Sequence, residues 1–268
     1  MKRYLSISLA VLAIAACQKP VHPEADPGKV QIEPVITKAT EVNFESGDKI
    51  GLTIAKVNDT QKYADNALLT YDGSVFSSDL MWYADAYSEA DVYAYYPYSE
   101  SGTPTSYAVV LDQTAGIAQA DFMAASKKGV LPTPNAITMV FKHLMTKIVI
   151  NIDNQSGAEV TAVKLLGGDT ACDLDIPNLS VLPASGASNN ELTEITAYEA
   201  VGGKVWQAII IPQTVKLSVE VSLSNGKKIS QPLAEMTLKS GGQYTINARL
   251  LQEDMTVSAS GEIENWTD

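Results

Sequence analysis

Apolar residues fall at every second position along most of this chain, and that alternation restricts it to folds built from strands with one buried face. The pattern is plainest in Val219-Glu220-Val221-Ser222-Leu223 and in Met255, Val257, Ala259, Gly261 and Ile263, where Thr256, Ser258, Ser260, Glu262 and Glu264 fill the other face. Turn residues punctuate the runs at Asp72-Gly73, Asn154-Gln155-Ser156-Gly157, Asn225-Gly226 and Gly241-Gly242, residue types that accept the positive φ of tight reversals. Strands are expected over 50–57, 91–96, 136–141, 147–152, 160–166, 204–211, 216–223 and 243–251, with a hairpin at Asn225-Gly226 joining 219–223 to 227–238. Only 190–200 has a short helical composition, and its Thr193, Ile195 and Ala197 equally suit one face of a strand. The fold class is therefore all-β: β-sandwiches with an exposed edge.

The N-terminus carries different information. Lys2 and Arg3 precede an apolar run from Leu5 to Ala16, too short for a permanent membrane helix and suited to an export signal. It ends in Ala13-Ile14-Ala15-Ala16-Cys17, which resembles the bacterial lipobox. Residues 1–16 thus read as a lipoprotein signal peptide and Cys17 as the acceptor of a covalent lipid, with ordinary Ala-x-Ala cleavage as the alternative. Residues 17–29 read as a tether, since Pro20, Pro23, Pro27 and Gly28 among charged residues favour an extended, solvated chain.

Loss of residues 1–16 removes Lys2 and Arg3 and no acid, leaving 17 basic against 31 acidic residues and a net charge of −14. That balance speaks against nucleic-acid partners and against electrostatic attachment to anionic lipid; membrane contact would come through acyl chains. With Cys17 lipidated, Cys172 has no partner for an intramolecular disulfide. A change from a tyrosine-rich to a Val/Ile/Leu-rich half near His143 divides the folded part into domains 30–143 and 144–268.

Several stretches resemble the fimbrillin-like family of Bacteroidales surface lipoproteins, the subunits of type V pili. They are Ile36-Thr37-Lys38-Ala39-Thr40, Phe44 to Leu52 with its Gly47-Asp48-Lys49-Ile50-Gly51, Val92 to Tyr98 with Tyr95-Tyr96-Pro97, Phe141-Lys142-His143 running on to Ile150, and Ile263-Glu264-Asn265-Trp266. The resemblance implies two transthyretin-like β-sandwich domains in tandem, lipid-anchored export to the outer membrane surface, and removal of an N-terminal strand by cleavage between Lys38 and Ala39. It further implies polymerisation with other pilus subunits by strand exchange. The donor strand would be 254–266, through Met255, Val257, Ala259 and Ile263, although the same segment could be an edge strand of its own domain. Family stalk subunits carry arginine where Lys38 stands, and the mature chain's sole arginine is Arg249, so stalk, anchor and tip roles all remain open. Lys38 is expected to follow an edge strand holding Val30, Ile32 and Ile36, through an exposed connector.

Enzymatic readings find few ingredients. His22 lies in the tether, which leaves His143 as a junction histidine held by hydrogen bonds, and neither an H-E-x-x-H pair nor a cysteine cluster accompanies it. Cys172, beside Asp173, is expected to be a buried thiol rather than a nucleophile paired with His143. Asp112 and Asp121 read as solvated charges, with no calcium loop around them. The expectation is a non-enzymatic protein without metal or cofactor other than the lipid. The rival reading is a glycan-binding surface lipoprotein, because nine of twelve tyrosines lie between Tyr63 and Tyr107; Trp82, Tyr93 and Tyr95 would form its aromatic platform, facing a host protein or glycan receptor.

If Cys17 carries the lipid, Cys17→Ala leaves the precursor unacylated and moves it out of the detergent phase on phase separation. Palmitate labelling that survives the substitution refutes the assignment.

Overall fold

A computed structural model describes residues 28–36, 44–184 and 193–264. Twenty-one strands follow in order. The first eight are β1 (Lys29–Ile36), β2 (Lys49–Lys56), β3 (Lys62–Tyr71), β4 (Phe76–Met81), β5 (Ala90–Tyr96), β6 (Ser106–Ala108), β7 (Met123–Val130) and β8 (Ile137–His143). After them come β9 (Thr146–Asn154), β10 (Val160–Leu166), β11 (Ala171–Asp175), β12 (Ser180–Pro183), β13 (Glu194–Thr196), β14 (Tyr198–Val201) and β15 (Val205–Ile210). The chain finishes with β16 (Thr214–Val215), β17 (Ser218–Leu223), β18 (Lys228–Pro232), β19 (Met236–Thr237), β20 (Gly242–Leu250) and β21 (Met255–Glu264). All eight expected strands are present within a few residues, and the Asn225-Gly226 hairpin joins β17 to β18 with Gly226 at φ +85°. The helical option for 190–200 is overturned over its described part: Glu194–Thr196 and Tyr198–Val201 are strands, paired to β10 and β15. Isolated short segments take the structure their neighbours' open edges offer.

The N-terminal strands form one sheet in the order β1-β4-β3-β2-β5-β7-β8, closed into a barrel where β1 pairs in parallel with β8. Its core gathers Val30, Ile32, Leu52, Ile54, Phe76, Met139 and Phe141, all essentially sealed from solvent. The C-terminal strands lay a five-stranded sheet (β14-β15-β9-β20-β21) and a four-stranded sheet (β13-β10-β17-β18) around a second core that includes Ile148, Ile150, Val163, Val219, Val221 and Ile246. Strand β1 is therefore not the edge element expected from sequence. It has partners on both sides, β4 antiparallel and β8 parallel, because barrel closure removes edges altogether.

Residues 97–122 leave the barrel between β5 and β7, two strands that pair directly with each other, and cross to the second core. There β6 extends the β11–β12 pair into a three-stranded sheet, and Val109, Ile117, Ala120 and Phe122 join the C-terminal cluster. The crossing is pinned by Gln113, buried within the fold. Its side-chain amide donates to the Ile209 carbonyl at 2.8 Å, and its Oε1 accepts from the Ile209 N–H at 2.8 Å. A second tie joins Asp121 Oδ2 to His143 Nδ1 at 2.7 Å, both side chains buried. Asp121 is thus not a solvated charge, because the end of the crossing buries it against His143, the last residue of β8.

The Gly47-to-Gly51 motif has a mechanical explanation. Gly47 turns at φ +102°. Asp48 accepts from the Glu45 N–H at 2.8 Å and from the Tyr96 hydroxyl at 3.3 Å. Gly51 lies under the Tyr95 ring, where any Cβ would collide with that ring. Tyr95 in turn donates to Asn66 Oδ1 at 2.6 Å and accepts from the Ser99 N–H at 3.1 Å, while Asn66 holds φ +54°.

Gly51→Ala is expected to destabilise the protein by about 1–3 kcal/mol through overpacking against Tyr95, read as a lowered thermal midpoint. An unchanged midpoint would mean that the ring can move aside.

Candidate assembly interface

The two strands singled out by the sequence, β1 and β21, are held very differently. In β1 the residues Val30 and Ile32 point inward at 0% exposure, Pro34 and Ile36 are partly buried, and Lys29, Glu33 and Val35 face out. Ile32 is in register with both Phe76 of β4 and Ile137 of β8. Pro34 falls beyond the last β4 partner, where its missing N–H costs less. Two outward contacts reinforce the seat: Lys29 Nζ pairs with Asp79 at 2.7 Å, and the Thr138 hydroxyl donates to Glu33 at 2.9 Å. Where the chain is next described, Phe44 sits at the centre of an aromatic group, 4.9 Å from Phe76 and 5.2 Å from Phe141 between ring centroids. Withdrawing β1 would uncover a groove floored by Phe76, Met139 and Phe141, with the free ladders of β4 and β8 as its walls. Lys38 and Ala39, like Cys17, lie outside the described residues.

Strand β21 pairs antiparallel with β20 from Leu250↔Met255 to Gly242↔Glu264, with an irregularity opposite Tyr244 and Thr245. It is the last strand of its sheet, so among the described residues no strand pairs with one side of its backbone. Met255 is buried, Val257 is partly buried against the second core, and Ala259 is exposed. Over its described side chains, 255–260, the apolar face expected from the alternation is buried only at its start. The side chains of 261–264, including Ile263, lie outside what is described.

The aromatic platform expected from sequence does not form. Trp82 and Tyr95 are buried, with Tyr95 stacked on Phe122 at 5.8 Å and an interplanar angle of 6°; Tyr93 is half-buried against the second core. On β5, Val92 and Ala94 face the barrel core while Tyr93 and Tyr95 face the second core, where Phe122 of the 97–122 crossing covers Tyr95. The aromatics that do reach solvent are Tyr63 and Tyr87. Tyr87 sits in a turn capped by Asp85, whose Oδ1 accepts from the Tyr87 N–H at 3.1 Å; Asp at the head of a four-residue polar turn was the available signal.

Cys172 is free and buried on β11, opposite Tyr107. Burial, with Asp173 adding to it, pushes its thiol up to about 11. Burial likewise lifts the Tyr107 phenol well above its usual range, and Asp121 adds to the shift; its hydroxyl donates to the Ala120 carbonyl at 2.7 Å. His143 is the last residue of β8 and is hydrogen-bonded to Asp121. Among the described residues no group of three His, Cys, Asp or Glu is placed to hold a metal ion, and no helix is long and apolar enough to cross a membrane.

The fimbrillin-like family model matches residues 37–266 of the 268. The chain belongs to the fimbrillin-like family. Its fold is shared with a candidate cell adhesion protein of Bacteroides ovatus, at 22% identity and a TM-score of 0.73 over 90% of this chain and 98% of that one. A Bacteroides uniformis protein of the same description matches at 22% identity and 0.68, over 90% and 100%. The tip fimbrial protein Mfa3 of Porphyromonas gingivalis matches at 8% identity and 0.53, over 83% and 95%. No curated protein matches the sequence. For this fimbrillin-like chain, the Gly-Asp-Lys-Ile-Gly and Tyr-Tyr-Pro stretches are neighbours in space, joined by the Asp48–Tyr96 hydrogen bond and by Gly51 beneath Tyr95.

The raised thiol makes Cys172 inert. Native protein at pH 8 is expected to resist alkylation by iodoacetamide and to react fully only in denaturant; rapid native labelling would contradict the buried placement. Because the folded value lies above the unfolded value near 9, this group's contribution to stability is complete below about pH 9. It is lost as pH rises through about 11.

Proposed function

We propose that this chain is a pilus-associated surface lipoprotein: a structural subunit, or the anchor or tip component, of a fimbrium assembled by strand exchange. Membership in the fimbrillin-like family supports the pilus role. The observation that carries the assembly mode is the position of β1, one strand inserted between β4 and β8 to close the barrel, with the following residues, 37–43, leading directly to the family motif. Removal after Lys38 would leave a groove needing one strand with alternating apolar residues. Each Val or Ile returned to it contributes about 1.5–3 kcal/mol, and each ladder hydrogen bond about 1 kcal/mol net.

In this reading β21 is the donor, through Met255, Val257, Ala259 and Ile263, because it is held on one side only and buries little in its own domain. The acyl chains on Cys17 would hold the untrimmed protein to the outer membrane. The two β units are read as members of the transthyretin-like tandem that the family resemblance implies, with the N-terminal one closed by β1. No catalytic role is assigned to His143, Cys172 or Asp121, whose geometry is explained by packing. Glycan recognition through Trp82 and Tyr95 is set aside because both are buried.

Val257→Asp with Ala259→Asp tests the donor role. Ala259 is exposed and Val257 only partly covered, so the monomer is expected to melt within about 1 kcal/mol of the parent. In an acceptor groove the two charges would be unpaired and cost several kcal/mol, so oligomers formed after trypsin trimming at Lys38 should disappear from size-exclusion chromatography. Oligomers that persist would place the contact elsewhere.

A further inference from the structure

The barrel has two ends. One, where β1 finishes beside Phe141 and β8 leads into β9, is joined to the C-terminal unit. The other is the free pole. Register places Lys29 opposite Met81, Ala55 opposite Lys62, Lys56 opposite Ala90 and Ala90 opposite Val130, so the loops 57–61, 82–89 and 131–136 all emerge there. Each exposes large apolar residues at this pole or beside it: Val57, Tyr63 and Met81 around the first two, Tyr87 at 80% exposure in the second, Leu131 at 45% in the third.

Around the first two loops this surface is tied together over the buried ring of Tyr83. The Tyr63 hydroxyl donates to the Met81 carbonyl at 2.8 Å, the Tyr63 and Tyr83 rings meet edge to face at 5.2 Å, and Lys56 Nζ lies 4.2 Å from the Tyr83 ring centre. Nothing in the described fold covers it. The chain also enters at this pole: the Gly28 carbonyl accepts from the Trp82 N–H at 3.1 Å, and Gly28 lies against Pro134 of the third loop.

We infer that this pole is a membrane seat: Tyr63, Met81, Tyr87 and Leu131 insert into the interfacial zone of the lipid surface to which the untrimmed chain is tethered. The inference rests on Cys17 carrying the lipid. Ten residues separate Cys17 from Gly28, a reach of at most about 40 Å, so of the whole described fold this pole is held nearest the bilayer. Exposed tyrosines with an apolar body and a polar tip, and a lysine whose stem lies along aromatic rings, suit a headgroup boundary. Electrostatics would not supply the attraction, because Lys29 and Lys62 are already paired with Asp79 and Asp65. The seat should therefore work on uncharged lipid.

The test is hydrogen–deuterium exchange on the full acylated chain in phosphatidylethanolamine/phosphatidylcholine vesicles, beside Cys17→Ser chain with the same vesicles in excess. Exchange in 57–61, 82–89 and 131–136 is expected to slow roughly tenfold on the vesicle, with the Asn225-Gly226 turn unchanged. Tyr87→Ser with Leu131→Ser should abolish that protection while the acylated chain still sediments with vesicles. An acylated, vesicle-bound chain with unprotected loops overturns the seat and leaves the anchor standing. If mass spectrometry finds Cys17 unmodified, the anchor fails, and the Cys17→Ser chain decides the seat: the three loops protected supports it, unprotected overturns it. Protection that follows protein concentration rather than lipid would identify a second copy as the occupant and overturn the proposal.

Discussion

The N-terminal barrel depends on one parallel ladder, β1 against β8 from Ile32↔Ile137 to Ile36↔Phe141. Without it the remaining six strands would form an open sheet with two bare edges and an uncovered strip of core. With it, Val30 and Ile32 complete a dry interior and every barrel strand has two neighbours. The strand that seals the core is thus also the one nearest the N-terminus. It is bounded by a Pro-rich stretch before Gly28 and by residues 37–43 after Ile36. A fold whose closure is placed at a chain end can have that closure exchanged without rearranging the other six strands.

Closure alone would leave two independent units joined at His143. The 97–122 crossing changes this, because it begins and ends inside the barrel yet spends its apolar residues in the C-terminal core. Gln113 supplies both amide functions to the backbone of Ile209, a pairing that a buried glutamine needs on either side of its side chain. Asp121 and His143 repeat the device at the junction itself. A connection this long between adjacent strands is unusual in compact domains unless it has a task, and here it ties the two units together.

The same crossing accounts for where the tyrosines went. On the covered face Tyr95 became core, while at the far pole Tyr63 and Tyr87 stay exposed beside the buried Trp82 and Tyr83.

Much of this was legible in the chain itself. Period-two alternation gave the strands because side chains on a pleated backbone point to opposite faces whatever the fold, and Asn225-Gly226 gave its hairpin because few residues accept positive φ. The family motifs were legible for a similar reason: Gly51 and Asp48 answer local steric and hydrogen-bonding demands. Alternation does not say which strand lies beside which, nor what covers an outer face. The burial of Tyr95 and Asp121 and the doubly paired state of β1 depend on contacts between residues 22 to 105 positions apart. Those contacts are set by barrel closure and by the 97–122 crossing, which no local pattern encodes, so only the tertiary structure could decide them.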